Sequence, residues 1–182
     1  MATLAGVATP SEGFPPVVGP DARVLILGSL PGDRSIAEQQ YYAHPQNAFW
    51  PIMRELFGIH GNYQDRLQQL VDKRIALWDA LQSSVRPGSL DTSIRLDSAR
   101  VNDFEALFVA HNEIELIAFN GKKAEQLFRK FVGPQLPDRP FRMVGLPSTS
   151  PAYAAMPFSG KLSRWRQAIG STADQSVVRR EP

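Results

Sequence analysis

The sequence predicts an α/β domain, a three-layer sandwich in which a short, mainly parallel four-stranded sheet is flanked by helices. Four short apolar runs of strand type, at residues 23–27, 75–78, 114–119 and 141–145, are separated by stretches whose apolar residues recur at helical spacing. Strands that alternate with helices imply crossovers between parallel neighbours. A polar or glycine-bearing segment follows each run directly: Gly28 to Gly32, Trp78-Asp79, Asn120-Gly121 and Pro147-Ser148-Thr149. In a parallel sheet such segments share the carboxyl edge, where ligands bind.

Taken in order, residues 1–20 are rich in Pro, Gly and small side chains and read as a flexible arm joining the body at Asp21. A first strand over 23–27 ends in Gly28-Ser29-Leu30-Pro31-Gly32, whose glycines let backbone N–H groups approach a ligand. A helix is expected over 48–57, with Phe49, Ile52, Met53, Leu56 and Phe57 on one face, Pro51 in or beside its first turn and Gly58 as its stop. Asn62 opens a second helix through Leu67, Leu70 and Val71. The second strand, 75–78, ends at Asp79, and residues 82–97, with Pro87 and Gly88, read as a long irregular loop. Asn102 and Glu105 have capping spacing for a helix through Phe104, Leu107 and Phe108. The third strand runs to Asn120-Gly121 and leads into a helix over 122–131. Pro134 and Pro137 break the chain before the fourth strand. A polar loop over 146–159 precedes a last helix, 160–169. The expected organisation is thus an arm (1–20), one domain (21–170) and a polar tail (171–182).

Composition narrows the function classes. A chain of 182 residues fits one domain that buries about two-thirds of its unfolded surface. Hydrophobic content of 43% with 21% charged residues is globular, and 20 basic against 18 acidic side chains permit nucleic acid without demanding it. The absence of cysteine excludes thiolate metal sites, iron–sulfur clusters, disulfides and cysteine nucleophiles. His44, His60 and His111 lack metal-motif spacing, so no metal is expected. The first residues lack the charge and apolar core of a secretory signal, and no run approaches the roughly 20 apolar residues of a membrane span. The expectation is a monomeric cytoplasmic protein, nucleoid-associated if bacterial, with no membrane partner.

The densest chemistry lies between Val24 and Trp50. Tyr41-Tyr42, His44-Pro45-Gln46-Asn47 and Phe49-Trp50 combine aromatic faces with amide and imidazole groups, which suits a flat hydrogen-bonding ligand such as a nucleobase. Each residue has a plainer reading beside this one. Asn47 stands where a helix cap stands. Tyr42 and Trp78 fit a core, and Asn120 before Gly121 fits a turn. His44 fits a structural hydrogen-bonder, and Asp79 a cap or ion pair. Lys161, Arg164 and Arg166 fit a solvated helix face. GSLPGDRS lacks the lysine of a phosphate-binding P-loop, which disfavours a nucleotide-binding module.

GSLPG, YYAHPQNAFW, FNG and LPSTSPAYA, each at its predicted strand end, together resemble the uracil-DNA glycosylase superfamily, and more narrowly its hypoxanthine-DNA (deoxyinosine) glycosylase branch. The resemblance covers residues 24–169. It implies a cofactor-free monofunctional DNA glycosylase that excises hypoxanthine in base-excision repair; no lysine stands in the motifs as a Schiff-base nucleophile, so no lyase activity is expected. It also implies double-stranded DNA as partner, single-stranded DNA being the alternative. By position, Tyr42 matches the aromatic that stacks on the flipped base and Asn120 the amide that reads its edge. Gly28, Ser29, Leu30, Pro31 and Gly32 match the water-activating loop, and Pro147 to Pro151 the loop that pinches phosphates. Leu30 and Leu146 stand where better-known relatives carry an Asp or Asn and a His. The hypoxanthine branch shares that loss, and the asparagine matching Asn47 is its main catalytic candidate.

The chemistry agrees with that implication. Flipping a base costs a few kcal/mol, and stacking on a ring such as Tyr42 returns roughly 1–3 kcal/mol. Hypoxanthine presents an O6 acceptor beside an N1–H donor, which one amide can match, provided a neighbour fixes its orientation. Uracil carries the same pattern on a smaller ring, so a mismatch-tolerant uracil glycosylase is the alternative, and a silent damaged-DNA binder the next. Asn47 can hold a water but has no usable pKa, so positioning and electrostatics must supply the rate. His44 is a candidate donor to the leaving base or a phosphate. Ser148, Thr149, Ser150, Pro151 and Lys161 are candidates for phosphate, and Tyr153 or Met156 for the wedge that fills the vacated stack.

Overall fold

Residues 9–174 are described by a computed structural model of the chain. The strands β1 (Ser11–Glu12), β2 (Val24–Gly28), β3 (Ile75–Asp79), β4 (Leu81–Ser84), β5 (Arg100–Val101), β6 (Leu116–Asn120) and β7 (Arg142–Leu146) alternate with six helices. These are α1 (Asp33–Glu38), α2 (Phe49–Phe57), α3 (Tyr63–Asp72), α4 (Phe104–Ala110), α5 (Lys122–Phe131) and α6 (Phe158–Asp174). The central sheet has the order β3-β2-β6-β7 with every pairing parallel. Its strands pack both faces, as their unbroken apolar character demands. Leu25, Leu27, Ala76, Trp78, Ile117 and Phe119 join α4 and α5 in one core, while Val24, Ile26, Ile75, Leu77, Leu116 and Ala118 join α2, α3 and α6 in the other. The side-chain period of two thus builds both helix layers from the same strands.

Chain direction then fixes where a ligand can sit. From β2 the chain passes to β3 on one side, and from β6 to β7 on the other, so the connections diverge at the β2–β6 boundary. That boundary is the switch point of an open parallel sheet. Register puts Gly28 beside Asp79, and Asn120 beside Leu146, at the carboxyl edge.

Local signals explain the elements that match expectation. Asn62 and Asp65 form a reciprocal capping box on α3, and Gly58 closes α2 with φ +70°. Other elements depart from expectation for identifiable reasons. Residues 9–20 are no flexible arm. β1 pairs with β4, Val17 exchanges backbone hydrogen bonds with Leu77, and the carbonyls of Phe14 and Pro15 accept from the Trp78 indole and the Tyr41 hydroxyl. Residues 1–8 lie outside the described part. The segment read as an irregular loop contains β4, the middle strand of a small antiparallel sheet ordered β1-β4-β5. Only Ala80 separates β4 from β3, and its polar sequence LQSS lacks an apolar run. Asp103, not Asn102, caps α4 by accepting from the Ala106 N–H, while Asn102 donates its amide to the Asp79 carbonyl. The six-residue α1 was not foreseen, because DRSIAE is too short to display a periodic apolar face. α6 extends through Asp174, so the expected tail begins as helix; residues beyond 174 lie outside the described part.

Each tryptophan fastens a neighbouring segment through its indole N–H. Trp50 donates to the Tyr41 carbonyl, Trp78 to that of Phe14, and Trp165 to that of Pro147, at 3.0 Å in each case. Deleting residues 1–20 would remove β1, the Val17 bridge and the Phe14 and Pro15 carbonyls that accept from Trp78 and Tyr41. Such a truncation is expected to cost at least about 2 kcal/mol, read as a lower urea midpoint.

Candidate functional site

A cleft of about 560 Å³ opens at the carboxyl edge of β2, β3 and β6. The site residues expected from sequence line it, except Pro147, Met156 and Lys161. Three of its walls meet at Thr149, which is 1% exposed. The Thr149 N–H donates to Asn120 Oδ1 and the Asn120 amide donates to Thr149 Oγ1, both at 2.9 Å. The Thr149 carbonyl accepts from the Ala48 N–H, 2.9 Å away, at the start of α2. Because Oδ1 faces a backbone donor, the amide cannot reverse without setting its NH2 group against the Thr149 N–H. Thr149 leaves one N–H and one lone pair of Asn120; the N–H lies beside the Tyr42 hydroxyl and would be shared with a ligand. Gly121 makes this closure feasible, since at φ +95° a Cβ would stand 3.0 Å from Ser148 Cβ.

Tyr42 stacks on Phe49 with ring centroids 4.1 Å apart and planes at 25°. That contact rigidifies the ring beside the cleft. The Tyr42 hydroxyl is buried beside the Asn120 amide, and burial, then the Asp79 charge, hold its pKa well above the usual tyrosine value against the opposing pull of the Asn120 hydrogen bond. Tyr41 is core, pinned through its backbone N–H to the Tyr63 hydroxyl and through its own hydroxyl to Pro15. Asn47 accepts the Phe49 N–H at 3.0 Å, so it does steady the entry to α2, although the capping position itself is Ala48. Its amide N–H groups are not used in that contact. His44 is exposed, and its Nδ1 accepts the Gln46 N–H, which leaves Nε2 as the protonated nitrogen of the neutral ring.

The Gly28 to Gly32 loop is held by a cluster that the sequence did not single out as a site. Arg86, 5% exposed, donates to the carbonyls of Leu30, at 3.1 Å, and Pro31. It also lies 3.8 Å from Asp91, whose Oδ1 accepts the Ser29 hydroxyl at 2.6 Å. The Leu30 and Leu146 side chains are buried in the cores on opposite faces of the sheet, which is why neither position carries a polar group. Asp79 closes the floor. It is 4% exposed, its Oδ2 has no partner, and burial followed by the Asp91 charge raises its pKa to about 7 against the opposing pull of Arg86. Arg86 and Asp91 sit in an aperiodic Ser/Pro/Gly segment where only tertiary contacts reveal a role. A carboxylate ending an apolar strand was the one legible sign for Asp79.

At the mouth, the Ser148 and Ser150 hydroxyls accept the Ser150 and Ala152 N–H groups, leaving their own hydrogens available. Pro151 and Tyr153 are exposed. Lys161 is a correction to the solvated-face reading: it is 5% exposed and donates to the Ser150 carbonyl at 3.3 Å, bracing the loop from beneath. Arg164 and Arg166 are exposed on α6. Among the described residues no cluster of His, Asp and Glu could hold a metal ion, and no helix is long and apolar enough to cross a membrane.

The model of the family described as the uracil DNA glycosylase superfamily matches residues 15–170. The hypoxanthine DNA glycosylase of Methanosarcina barkeri (strain Fusaro / DSM 804) is 42% identical over 116 residues, 62% of this chain and 72% of that protein. The protein of the same name from Methanosarcina acetivorans is 40% identical over 116 residues, with the same coverage. The solution NMR structure of a candidate uracil DNA glycosylase from Methanosarcina acetivorans is similar with a TM-score of 0.75 at 33% identity, over 90% of this chain and 99% of that one.

Asp79 yields a stability prediction. Between the usual carboxylate range and about 7, the folded protein keeps a proton that the unfolded chain has released, so stability falls as pH rises through that window. Asp79→Asn removes this dependence. Its stability relative to wild type is expected to rise by roughly 3–4 kcal/mol between pH 4 and pH 8, measured by urea unfolding at both values.

Proposed function

The chain belongs to the uracil DNA glycosylase superfamily, and from that membership we propose that it excises hypoxanthine from DNA by hydrolysing the N-glycosidic bond. It is a DNA glycosylase acting on a deaminated base in repair. The hypoxanthine reading draws on the names of the two Methanosarcina relatives and on the cleft. The observation that carries it is the Asn120 amide, fixed by Thr149 beside the rigid Tyr42 ring. A fixed amide offers a donor to O6 and distinguishes a lactam edge from adenine, whose donor and acceptor are reversed. The cleft volume of about 560 Å³ lies within the usual range for small-ligand sites and leaves room for a purine.

In this reading the extruded base stacks against Tyr42 while Asn120 gives its remaining N–H to the base carbonyl. Asn47, already steadied by the Phe49 N–H, orients the attacking water with its amide. Gly28 to Gly32 form the wall along which the water approaches, with Ser29 held by Asp91 and the loop carbonyls held by Arg86. His44 serves a phosphate or the leaving base from the rim. The free hydroxyl hydrogens of Ser148 and Ser150 serve DNA phosphates, Tyr153 fills the vacated stack, and Lys161 acts by bracing the loop. The working state is a monomer on duplex DNA, without a cofactor and without lyase chemistry, since no lysine lines the cleft.

Incubation with duplexes containing one deoxyinosine, deoxyuridine or deoxyxanthosine, followed by alkali, tests this. Strand cleavage at inosine is expected, with Asn47→Ala lowering the single-turnover rate about 100-fold or more while the far-UV spectrum stays native. Cleavage at deoxyuridine alone would make the enzyme a uracil glycosylase instead.

A further inference from the structure

We propose that the Asp79 carboxyl pairs with the O=C–N–H edge of the extruded base and delivers a proton to its carbonyl oxygen as the C1′–N bond breaks. The proposal rests on the glycosylase reading above and adds to it the group that neutralises the departing base.

One buried polar atom at the floor of the cleft has no partner: Asp79 Oδ2, at the end of β3. The Tyr42 hydroxyl stands over the same point on the facing segment, with the Asn120 amide as its neighbour. Both reach over Gly28. A Cβ at that residue would lie 2.4 Å from Asp79 Oδ1 and 3.2 Å from the Tyr42 hydroxyl, so the glycine is what gives the carboxyl its place. A buried polar group left unpaired is costly, and a carboxyl in that state on the floor of a cleft marks where a ligand supplies the partner. The backbone of Asp79 is already committed, its carbonyl accepting the Asn102 amide. The carboxyl alone remains for a ligand.

A carboxylic acid matches a lactam as its partner in a cyclic pair: its carbonyl accepts N1–H while its O–H donates to O6. An ionised carboxylate has no hydrogen to give and would repel the base as negative charge develops. The surroundings favour the neutral acid. Asp91 faces Asp79 with like charge from the 91–93 turn, Arg86 opposes that charge from the segment after β4, and burial outweighs the Arg86 contribution. Tyr41 and Tyr42, on the segment before α2, stay un-ionised because burial holds both far above the usual tyrosine value. Lys123 acts on Asp91.

The step balances. The electron pair of the broken C1′–N9 bond leaves with the base and spreads onto O6, which takes the Asp79 proton. Water closes on C1′ and loses one proton, which returns to Asp79 through solvent. One water is consumed, and a neutral base and an abasic sugar result. Asp79 thereby supplies what Leu146, buried in the core, cannot.

Single-turnover excision from an inosine duplex, measured from pH 5.5 to 9 with the full chain, tests the assignment. The wild-type rate is expected to fall about tenfold per pH unit above about 7. Asp79→Asn keeps the donor–acceptor pair but has no proton to lose, so its rate should be at least tenfold lower at pH 6 and show no such limb. Asp79→Ala should be slower still at every pH, and equal urea midpoints at pH 5 would show that folding is intact. A limb unchanged in Asp79→Asn, as ionisation of the base itself would give, overturns the proposal. If wild-type protein releases no base from inosine, uracil or xanthine duplexes, the glycosylase reading fails and takes the role of Asp79 with it.

Discussion

The reciprocal hydrogen bonds between Asn120 and Thr149 are the constraint on which the site depends. They join the end of β6 to the loop before α6, and the Thr149 carbonyl extends the connection to the first residues of α2. Three segments far apart in sequence are therefore located by one buried side chain. The bonds also set the chemical identity of the amide, since Oδ1 cannot exchange places with Nδ2 while a backbone N–H points at it. The shape of the cleft and the orientation of its amide come from the same pair of contacts.

A second constraint is electrostatic. Arg86 is buried against the carbonyls of the Gly28 to Gly32 loop, and its positive charge is only partly compensated by Asp91 at 3.8 Å. A loop with two glycines and a proline has little regular hydrogen bonding of its own, so a guanidinium that gathers its carbonyls gives it one conformation. The cost is desolvation of the cation, which the neighbouring carboxylates offset. The same carboxylates repel one another, and Asp79, the more deeply buried, yields by holding its proton. The floor of the cleft thereby holds a carboxyl whose proton is retained well above the usual carboxylate range.

Much of the sheet and its ligand edge was legible, because four apolar runs ending in polar residues imply both. Helices with a wide apolar stripe were equally clear, and Asn62 capped as its spacing implied. What escaped had no local signature. Ser11–Glu12 are held only by partners some 70 positions away, and β4 is polar and follows β3 after one residue. Arg86 and Asp91 acquire meaning through what they touch, as do the reversed fates of Lys161, which is buried, and Asn102, which supports Asp79 rather than capping α4. The position of Asn47 suggested a cap and a functional amide, and its contact with the Phe49 N–H is compatible with both.

The three indole clamps give the molecule a set of internal optical reporters. Trp50 answers to the Tyr41–Tyr42 segment, Trp78 to the strap around Phe14, and Trp165 to the loop at Pro147. Each ring is at least 92% shielded from solvent, so its emission is set by the carbonyl it holds and by the aromatic rings around it. Loosening of any one fastening would redden and alter the yield of one fluorophore while the other two remain as internal standards. With the other two indoles replaced by phenylalanine, each tryptophan would report separately on the Tyr41–Tyr42 segment, the amino-terminal strap or the loop at Pro147.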